Sequence, residues 1–404
     1  MRVLLVQPWL GRRQHPVLPL GLACIAASLK GHRVRIVDLN LREEPLHLLE
    51  AELRDFAPDV TGFSLRNCDT TSHRDPFTYL PAFRAQTELA RKELPSTRIM
   101  AGGAGFSLFA ERIMRECRDI DCGVTGHGET VVRELVEAGA AGLHAGGAGE
   151  LVSPALELLE CDRYTPYETN LAVGVEAARG CDLGCRYCSY PAVSGDRITH
   201  RPAGELAEEL RRLVSLGARH IFLIAPVLNR PATQGAAAAR AAMEAGGGFT
   251  WEAYHTARGF DREYAGLAAS SGCTGATFSP DGGTDRQMEL MGKDYDSAGL
   301  QRAITAAAEA GIDVSINVFP WQRETGFSGM LAAFRGAARW GALAGERLRR
   351  LRFGLVRRMP GTDYAPAAPA FGRAIPDSQF SKPPPAAMVG FLALNRIFGK
   401  DLRA

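Results

Sequence analysis

The chain has 404 residues, 46% of them hydrophobic and 23% charged, which is enough apolar sequence for more than one globular core. Its 47 basic and 45 acidic residues give a formal net charge of +2, so bulk electrostatics offers no attraction to nucleic acids or anionic membranes. We therefore expect two domains and a tail, with neither a nucleic acid nor a membrane as a partner.

The first 140 residues predict alternating strands and helices. Short apolar runs that are typical of buried strands cover residues 3–6, 33–37, 59–65, 98–101 and 121–125. Helical patterns follow these runs at residues 20–29, 46–56, 81–94, 106–115 and 129–138. This alternation indicates an open parallel α/β sheet, and ligands of such sheets bind beyond the carboxyl ends of the strands.

A second α/β segment is predicted to begin near Val173. Before it, residues 140–149 are nearly all small, and we interpret them as a linker or a loose edge hairpin. Helical patterns cover residues 205–216, 235–245, 263–270 and 298–310. Strand patterns cover residues 221–224, 249–254, 275–278, 313–318 and 352–356.

The end of the chain differs in composition. From Ala365 it is rich in proline and alanine, and residues 387–398 predict a last apolar helix. We expect this helix to pack against the preceding domain, with a role as a partial lid as the alternative. The predicted organisation is a domain at 1–150, a second at 165–364 and a tail at 365–404.

Cysteine usage indicates a reducing environment. The nine cysteines are an odd number and are scattered apart from one tight trio, unlike the dense framework of a small secreted domain. The apolar run at the start is too short for a signal peptide, and no segment reaches the roughly 18 apolar residues that span a bilayer. We therefore expect a cytoplasmic protein.

The trio consists of Cys181, Cys185 and Cys188, in the spacing Cys-x3-Cys-x2-Cys. Three thiolates on one loop can hold three irons of a cubane if the loop wraps around it, and Gly180 and Gly184 allow such wrapping. The fourth iron is then free for a small molecule. A zinc site would need further ligands some 12–20 residues on, and none follows. The spacing therefore predicts a [4Fe-4S] cluster.

The same segment, with Tyr187 before the third cysteine, resembles the signature of the radical S-adenosylmethionine (radical SAM) enzymes. The resemblance implies a partial (β/α)6 barrel over 173–360, S-adenosylmethionine as a cofactor, and Tyr187 packed by its adenine. It also implies that Ser279 and Asn317 contact the ribose or the methionine carboxylate. In one departure, the second barrel strand and its end, 221–229, lack the acidic residues that usually hold the methionine amino group.

Residues 1–140 resemble the cobalamin-binding domain that precedes the barrel in the B12-dependent branch of this family. The implied fold class is α/β, with a Rossmann-like sheet, a partial barrel and a short helical tail. The cobalamin-binding residues implied at the strand ends are Ser64, Arg66, Gly102, Gly103, Gly126, Gly128 and Glu129.

The Asp-x-His-x-x-Gly motif that supplies a histidine to cobalt in other cobalamin proteins is absent from the sequence. We predict that Arg66 lies under the cobalt, where a cation would discourage a water ligand. The alternative is that Arg66 is a surface residue that binds an amide or the phosphate of cobalamin.

The resemblance implies cleavage of S-adenosylmethionine to a 5′-deoxyadenosyl radical, and methylcobalamin as the methyl donor. The leading hypothesis is C-methylation of a natural-product precursor, which is a small molecule, a peptide or a carrier-bound intermediate. The alternatives are a B12-dependent rearrangement, ring contraction or cyclisation, polar methylation of an aromatic carbon, and a non-catalytic partner protein. The implied electron donor is of the flavodoxin or ferredoxin type. Pocket-lining positions, each expected to be structural, are Tyr254, His255, Asp281, Trp321 and Arg323.

Overall fold

A computed structural model describes residues 1–11, 15–70, 77–147, 151–365 and 382–401. The chain divides into two compact units. The first contains residues 1–174 with two short segments, 192–195 and 215–218, and the second contains the rest. Within the described residues, no helix is long and apolar enough to cross a bilayer.

Six parallel strands form the sheet of the first unit, in the order β2-β1-β3-β4-β5-β6. They are β1 (Arg2–Gln7), β2 (Arg33–Asp38), β3 (Val60–Ser64), β4 (Arg98–Gly102), β5 (Cys122–Thr125) and β6 (Gly142–Ala145). Strand β2 is added to one side of β1, and β3 and the later strands are added to the other side. The carboxyl ends of β1 and β3 are therefore the topological switch point, where sheets of this type bind ligands. The prediction of a linker or a loose hairpin at 140–149 is wrong for the residues of β6, because this strand pairs in parallel with β5 at the sheet edge.

Helices cover the sheet of the first unit as the sequence predicts. They are α1 (Leu20–Ser28), α2 (Pro45–Phe56), α3 (Leu80–Glu93), α4 (Ala104–Leu108), α5 (Ala110–Glu116) and α6 (Val132–Ala138). The single helix predicted at 106–115 is divided in two, because the backbone of Phe109 departs from helical geometry, with a φ of −137° and a ψ of 26°. A 3-10 segment, Cys161–Asn170, follows later in the same unit.

The second unit contains the predicted partial barrel, with strand order β7-β10-β11-β12-β13-β14 and parallel pairing from β10 to β14. Strand β15 pairs antiparallel with β14 at the edge, and β8 and β9 form a separate hairpin. The strands are β7 (Gly174–Glu176), β8 (Ala178–Arg179), β9 (Thr199–His200), β10 (His220–Ile224), β11 (Thr250–His255), β12 (Cys273–Phe278), β13 (Asp313–Val318), β14 (Leu348–Phe353) and β15 (Lys400–Asp401).

The helices of the remaining chain are α7 (Tyr190–Ser194), α8 (Ala203–Ser215), α9 (Ala232–Glu244), α10 (Arg262–Ser270), α11 (Asp285–Leu290), α12 (Ser297–Glu309), α13 (Gly326–Ala344) and α14 (Pro385–Phe398). The predicted last helix is confirmed as α14. Its Phe391 is fully buried and lies 6.1 Å from Phe334 of α13, ring centre to ring centre. Most of the proline-rich segment before α14, residues 366–381, lies outside the described residues.

A buried polar network joins three barrel strands near their amino ends. The carboxylate of Glu252 on β11 accepts a hydrogen bond from Arg349 of β14 at 2.9 Å and pairs with Nε2 of His220 of β10 at 2.8 Å. Burial opposes the charge of Glu252, but these two partners outweigh burial and lower its pKa. The network therefore holds a charged carboxylate inside the barrel.

Replacing Glu252 by alanine should destabilise the second unit by about 3–5 kcal/mol, because it removes the buried carboxylate to which both Arg349 and His220 are bound. The matched control is Glu309→Ala, which breaks the surface pair with Arg262 and should cost less than about 1 kcal/mol. Urea denaturation followed by tryptophan fluorescence measures both changes. Equal shifts in the two variants would show that the network contributes nothing beyond a surface pair.

Candidate functional site

The three cysteines of the trio lie on one loop of the second unit, residues 180–189, which we call the cysteine loop. It begins after β8 with Gly180, whose φ of +80° is a conformation that favours glycine. Cys181 is buried, and Cys185 and Cys188 are partly buried. The amide of Cys188 donates to the carbonyl of Cys185 at 3.1 Å, which closes a tight turn.

The turn after α11 packs directly against the cysteine loop. Gly292 in this turn has a φ of +77°, and a Cβ atom placed on it would lie 2.2 Å from the carbonyl oxygen of Gly184. The amide of Arg186 donates to the carbonyl of Met291 at 3.2 Å, and its guanidinium binds Asp363 at 2.8 Å. Backbone contacts and one exposed ion pair thus fix the loop from two sides.

A lysine that the sequence analysis missed lies beside the cysteine loop. The ammonium of Lys293 is 3.5 Å from Sγ of Cys185, and it forms an ion pair with Asp281. The hydroxyl of Tyr187 donates to the same carboxylate at 2.5 Å. The lysine ammonium also lies 5.6 Å from the centre of the Tyr187 ring, within the range of a cation–π contact. Tyr187, Asp281 and Lys293 form what we call the lysine triad.

Burial and charge act against each other in this triad. Burial raises the pKa of Asp281, while the ammonium of Lys293 and the hydroxyl of Tyr187 act in the opposite direction. For Lys293 burial disfavours the charge, but Asp281 and Cys185 outweigh burial and raise its pKa. The lysine is therefore a buried cation with an anion on one side and a thiol on the other.

The residues predicted to contact S-adenosylmethionine come together at the carboxyl ends of β12 and β13. The amide of Asn317 donates to the hydroxyl of Ser279 at 3.2 Å, and the backbone of Asn317 accepts from the amide of Asp281 at 3.4 Å. The ring of Tyr187 meets Phe319 edge-on, with 5.1 Å between ring centres. The three residues named from the sequence thus lie on connected segments of one edge, although their roles stay predictions.

The cysteine loop has the donor set for an iron–sulfur cubane. Burial raises the pKa of all three thiols, that of Cys188 to about 11, so a bound cation is needed to hold them as thiolates at neutral pH. In the described part of the chain, no three His, Cys, Asp or Glu side chains converge as ligands of a single metal ion. A cubane places a different iron on each thiolate, so it requires no such convergence.

The strand ends of the first unit also come together as the sequence predicts. Gly103, after β4, has a φ of +98°, and a Cβ atom there would lie 2.8 Å from the carbonyl of Leu65 and 3.0 Å from the hydroxyl of Ser64. Gly126, after β5, has a φ of +69°. These glycines leave the edge lined by backbone at three adjacent strands, which suits a large ligand held by amides and carbonyls.

Two more polar groups lie near the switch point of the first unit. The buried Asp38, at the end of β2, accepts hydrogen bonds from Tyr164 at 2.7 Å and from the Asn40 amide at 2.8 Å. Arg66 follows β3, and burial lowers its pKa, with Asp38 among the groups that oppose the shift. The position of Arg66 after β3 matches the expectation, while its place under cobalt stays a prediction. Gly102, Gly128 and Glu129 likewise stay predicted cobalamin-binding residues.

Two family models match the chain. A B12 binding domain matches residues 8–136, and the radical SAM superfamily matches residues 175–325. The two matches follow the order of the two units described above.

Curated relatives carry methyltransferase names. An uncharacterised methyltransferase of Pyrococcus horikoshii is 23% identical over 73% of this chain and 67% of its own length. The hopanoid C-3 methylase of Methylococcus capsulatus is 26% identical over 51% of this chain. The match spans only 42% of the hopanoid methylase.

Solved structures show the same fold over most of the chain. The radical S-adenosylmethionine methyltransferase TsrM from Kitasatospora setae, with tryptophan substrate and a SAM analogue bound, superposes with a TM-score of 0.74 and 20% identity. The alignment covers 90% of this chain and 74% of TsrM. The cobalamin-dependent S-adenosylmethionine radical enzyme OxsB superposes with a TM-score of 0.68 and 15% identity, over 83% of this chain and 52% of OxsB.

Proposed function

Because the chain belongs to the cobalamin-dependent radical SAM enzymes, we propose that it is a C-methyltransferase that acts on a natural-product precursor. The observation that carries the proposal is the presence, in one chain, of a three-cysteine loop and a parallel sheet of the B12-binding type. The methyltransferase names of its relatives favour methyl transfer over the other reactions of the family.

When bound, the cluster supplies one electron for cleavage of S-adenosylmethionine, and cobalamin carries a methyl group. The residues of the chain hold and shield these groups. Cys181, Cys185 and Cys188 would bind three irons. The Tyr187 ring, fixed by its hydroxyl on Asp281, would pack by the adenine, and the neighbouring hydroxyl of Ser279 and amide of Asn317 would bind the ribose or the carboxylate.

A small-molecule substrate is favoured by the fold relative TsrM, which was solved with tryptophan. A peptide or a carrier-bound intermediate is the alternative. The reductant would be a flavodoxin or ferredoxin type protein, since the radical step consumes one electron. Ring contraction or cyclisation is the competing chemistry, and a measurement of products separates it from methylation.

The test uses the full chain, reconstituted anaerobically with iron, sulfide and hydroxocobalamin, then supplied with reductant and S-adenosylmethionine. We expect 5′-deoxyadenosine and S-adenosylhomocysteine, the second only with cobalamin present. The control is a triple variant with alanine at Cys181, Cys185 and Cys188, which should give neither product. 5′-Deoxyadenosine alone would contradict methyl transfer and favour rearrangement, and the absence of both products would contradict the proposal.

A further inference from the structure

A buried cation touches one sulfur of the cysteine loop. The Lys293 side chain is only 8% exposed, and its ammonium is 3.5 Å from Sγ of Cys185. This distance is within the range of an N–H···S hydrogen bond. The lysine reaches the sulfur because the turn that carries it lies against the loop, with Gly292 in contact with Gly184.

The anion that balances this lysine, Asp281, has a strained backbone conformation and two side-chain partners. Asp281 is buried and has a φ of +58°, which non-glycine residues rarely adopt. Backbone strain of this kind persists only where the surroundings over-determine the conformation. Here the carboxylate is bound by Lys293 and by the hydroxyl of Tyr187. The fold therefore maintains a specific pair of opposite charges next to Cys185.

We propose that Lys293 sets the reduction potential of the iron–sulfur cluster, by a hydrogen bond and a positive charge at the Cys185 sulfur, with Asp281 moderating that charge. Potentials of such clusters depend on hydrogen bonds to the sulfurs, on local charge and on solvent exposure. The reduced cluster carries one more negative charge than the oxidised cluster, so a neighbouring cation favours reduction. Charges buried in protein act more strongly than charges in water.

Lys293 is on this account a positioning and tuning residue that acts through Cys185. The inference rests on the cluster of the proposed function and is independent of the methyl acceptor. The competing explanation is a structural ion pair that closes one side of a crevice of about 900 Å³, which Lys293 lines together with Asp294, Tyr295 and Arg302. A structural pair would affect folding and leave the potential of an assembled cluster unchanged.

The experiment measures the midpoint potential of the reconstituted full-length protein by dithionite titration, monitored by electron paramagnetic resonance, without S-adenosylmethionine. We expect Lys293→Met to lower the equilibrium constant for reduction at least tenfold, about 59 mV for a one-electron couple. Asp281→Asn should shift the potential in the opposite direction. Lys293→Arg, which keeps the positive charge, should have a potential close to that of the native protein. The control is Arg302→Met, which removes an exposed cation of the same crevice and should leave the potential unchanged.

The opposite signs of the two shifts are the decisive result. Unchanged potentials, or shifts of the same sign in Lys293→Met and Asp281→Asn, at native iron content would overturn the inference. If Lys293→Met retains little iron, Lys293→Gln and Asp281→Asn carry the test, and an unchanged potential in both overturns it. A native chain that assembles no cluster would instead refute the proposed function.

Discussion

Replacing any one of Cys181, Cys185 and Cys188 by alanine is expected to abolish cluster assembly, from about four irons per chain to nearly none. Each thiolate would bind a different iron, so the loss of one leaves two of the four irons without a protein ligand. The other six cysteines cannot compensate, because all of them are buried and lie outside the cysteine loop in the sequence. The variants should still fold, since the loop is held by backbone contacts to Met291 and Asp363.

Iron and sulfide content after anaerobic reconstitution, with the visible charge-transfer absorption of the cluster, measures this effect. The matched control is Cys273→Ala, a cysteine of β12 in the core of the same unit. It should retain native iron content. Native iron content in any of the three loop variants would contradict the assignment of the cluster to this loop.

The chemistry of the cysteine loop could be predicted from the sequence because its ligands lie within eight residues of one another. The lysine triad could not, since Lys293 is 108 residues from Cys185 and Asp281 is 94 residues from Tyr187. Only the folding of the barrel brings these side chains together. One signal was present in the sequence: Lys293 is one of only five lysines among 47 basic residues.

The fold was predictable where hydrophobic patterns were strong and was missed where glycine or arginine interrupts them. Helix α13 escaped prediction because it contains several glycines, of which Gly336 packs against the backbone of Gly283 with no room for a side chain. Strand β14 begins four residues before the predicted strand at 352–356. Its start was missed because three arginines among its six residues interrupt the apolar pattern. Edge strand β6 has only four residues, Gly-Leu-His-Ala, and is mostly exposed, so it lacks an apolar pattern.

The predicted binding edges were only partly predictable from the sequence. General rules for parallel sheets predicted that ligands lie beyond the strand ends, and the structure brings Ser64 and Gly103 together at one edge and Ser279 and Asn317 at another. Which atom of a cofactor each residue contacts depends on side-chain geometry around that cofactor, and a strand pattern contains no such information. Asp281, expected to be structural, proves to be an acceptor for both Tyr187 and Lys293.

The second large effect is expected from Gly292→Ala, which should deplete the cluster without touching any ligand. Gly292 follows the last residues of α11, and its amide donates to the carbonyl of Glu289, as in a helix end that requires a left-handed residue. Alanine in that conformation costs roughly 1–2 kcal/mol. Its Cβ atom would also lie 2.2 Å from the Gly184 carbonyl, and such overpacking adds about 1–3 kcal/mol. The cysteine loop has to move to relieve this clash.

Two control substitutions separate the clash from the backbone strain. Gly246→Ala has a φ of +95° and no neighbour within 4 Å, so it carries the backbone cost alone. Gly184→Ala places a methyl group in open space on the other side of the contact. Both control variants should assemble a full cluster, and Gly246→Ala should be slightly less stable than the native protein. Gly292→Ala should lose more than half of its iron, and its melting temperature should fall further than that of Gly246→Ala. Equal iron content in Gly292→Ala and Gly246→Ala would mean that the contact between the turn and the cysteine loop does not position the cluster ligands.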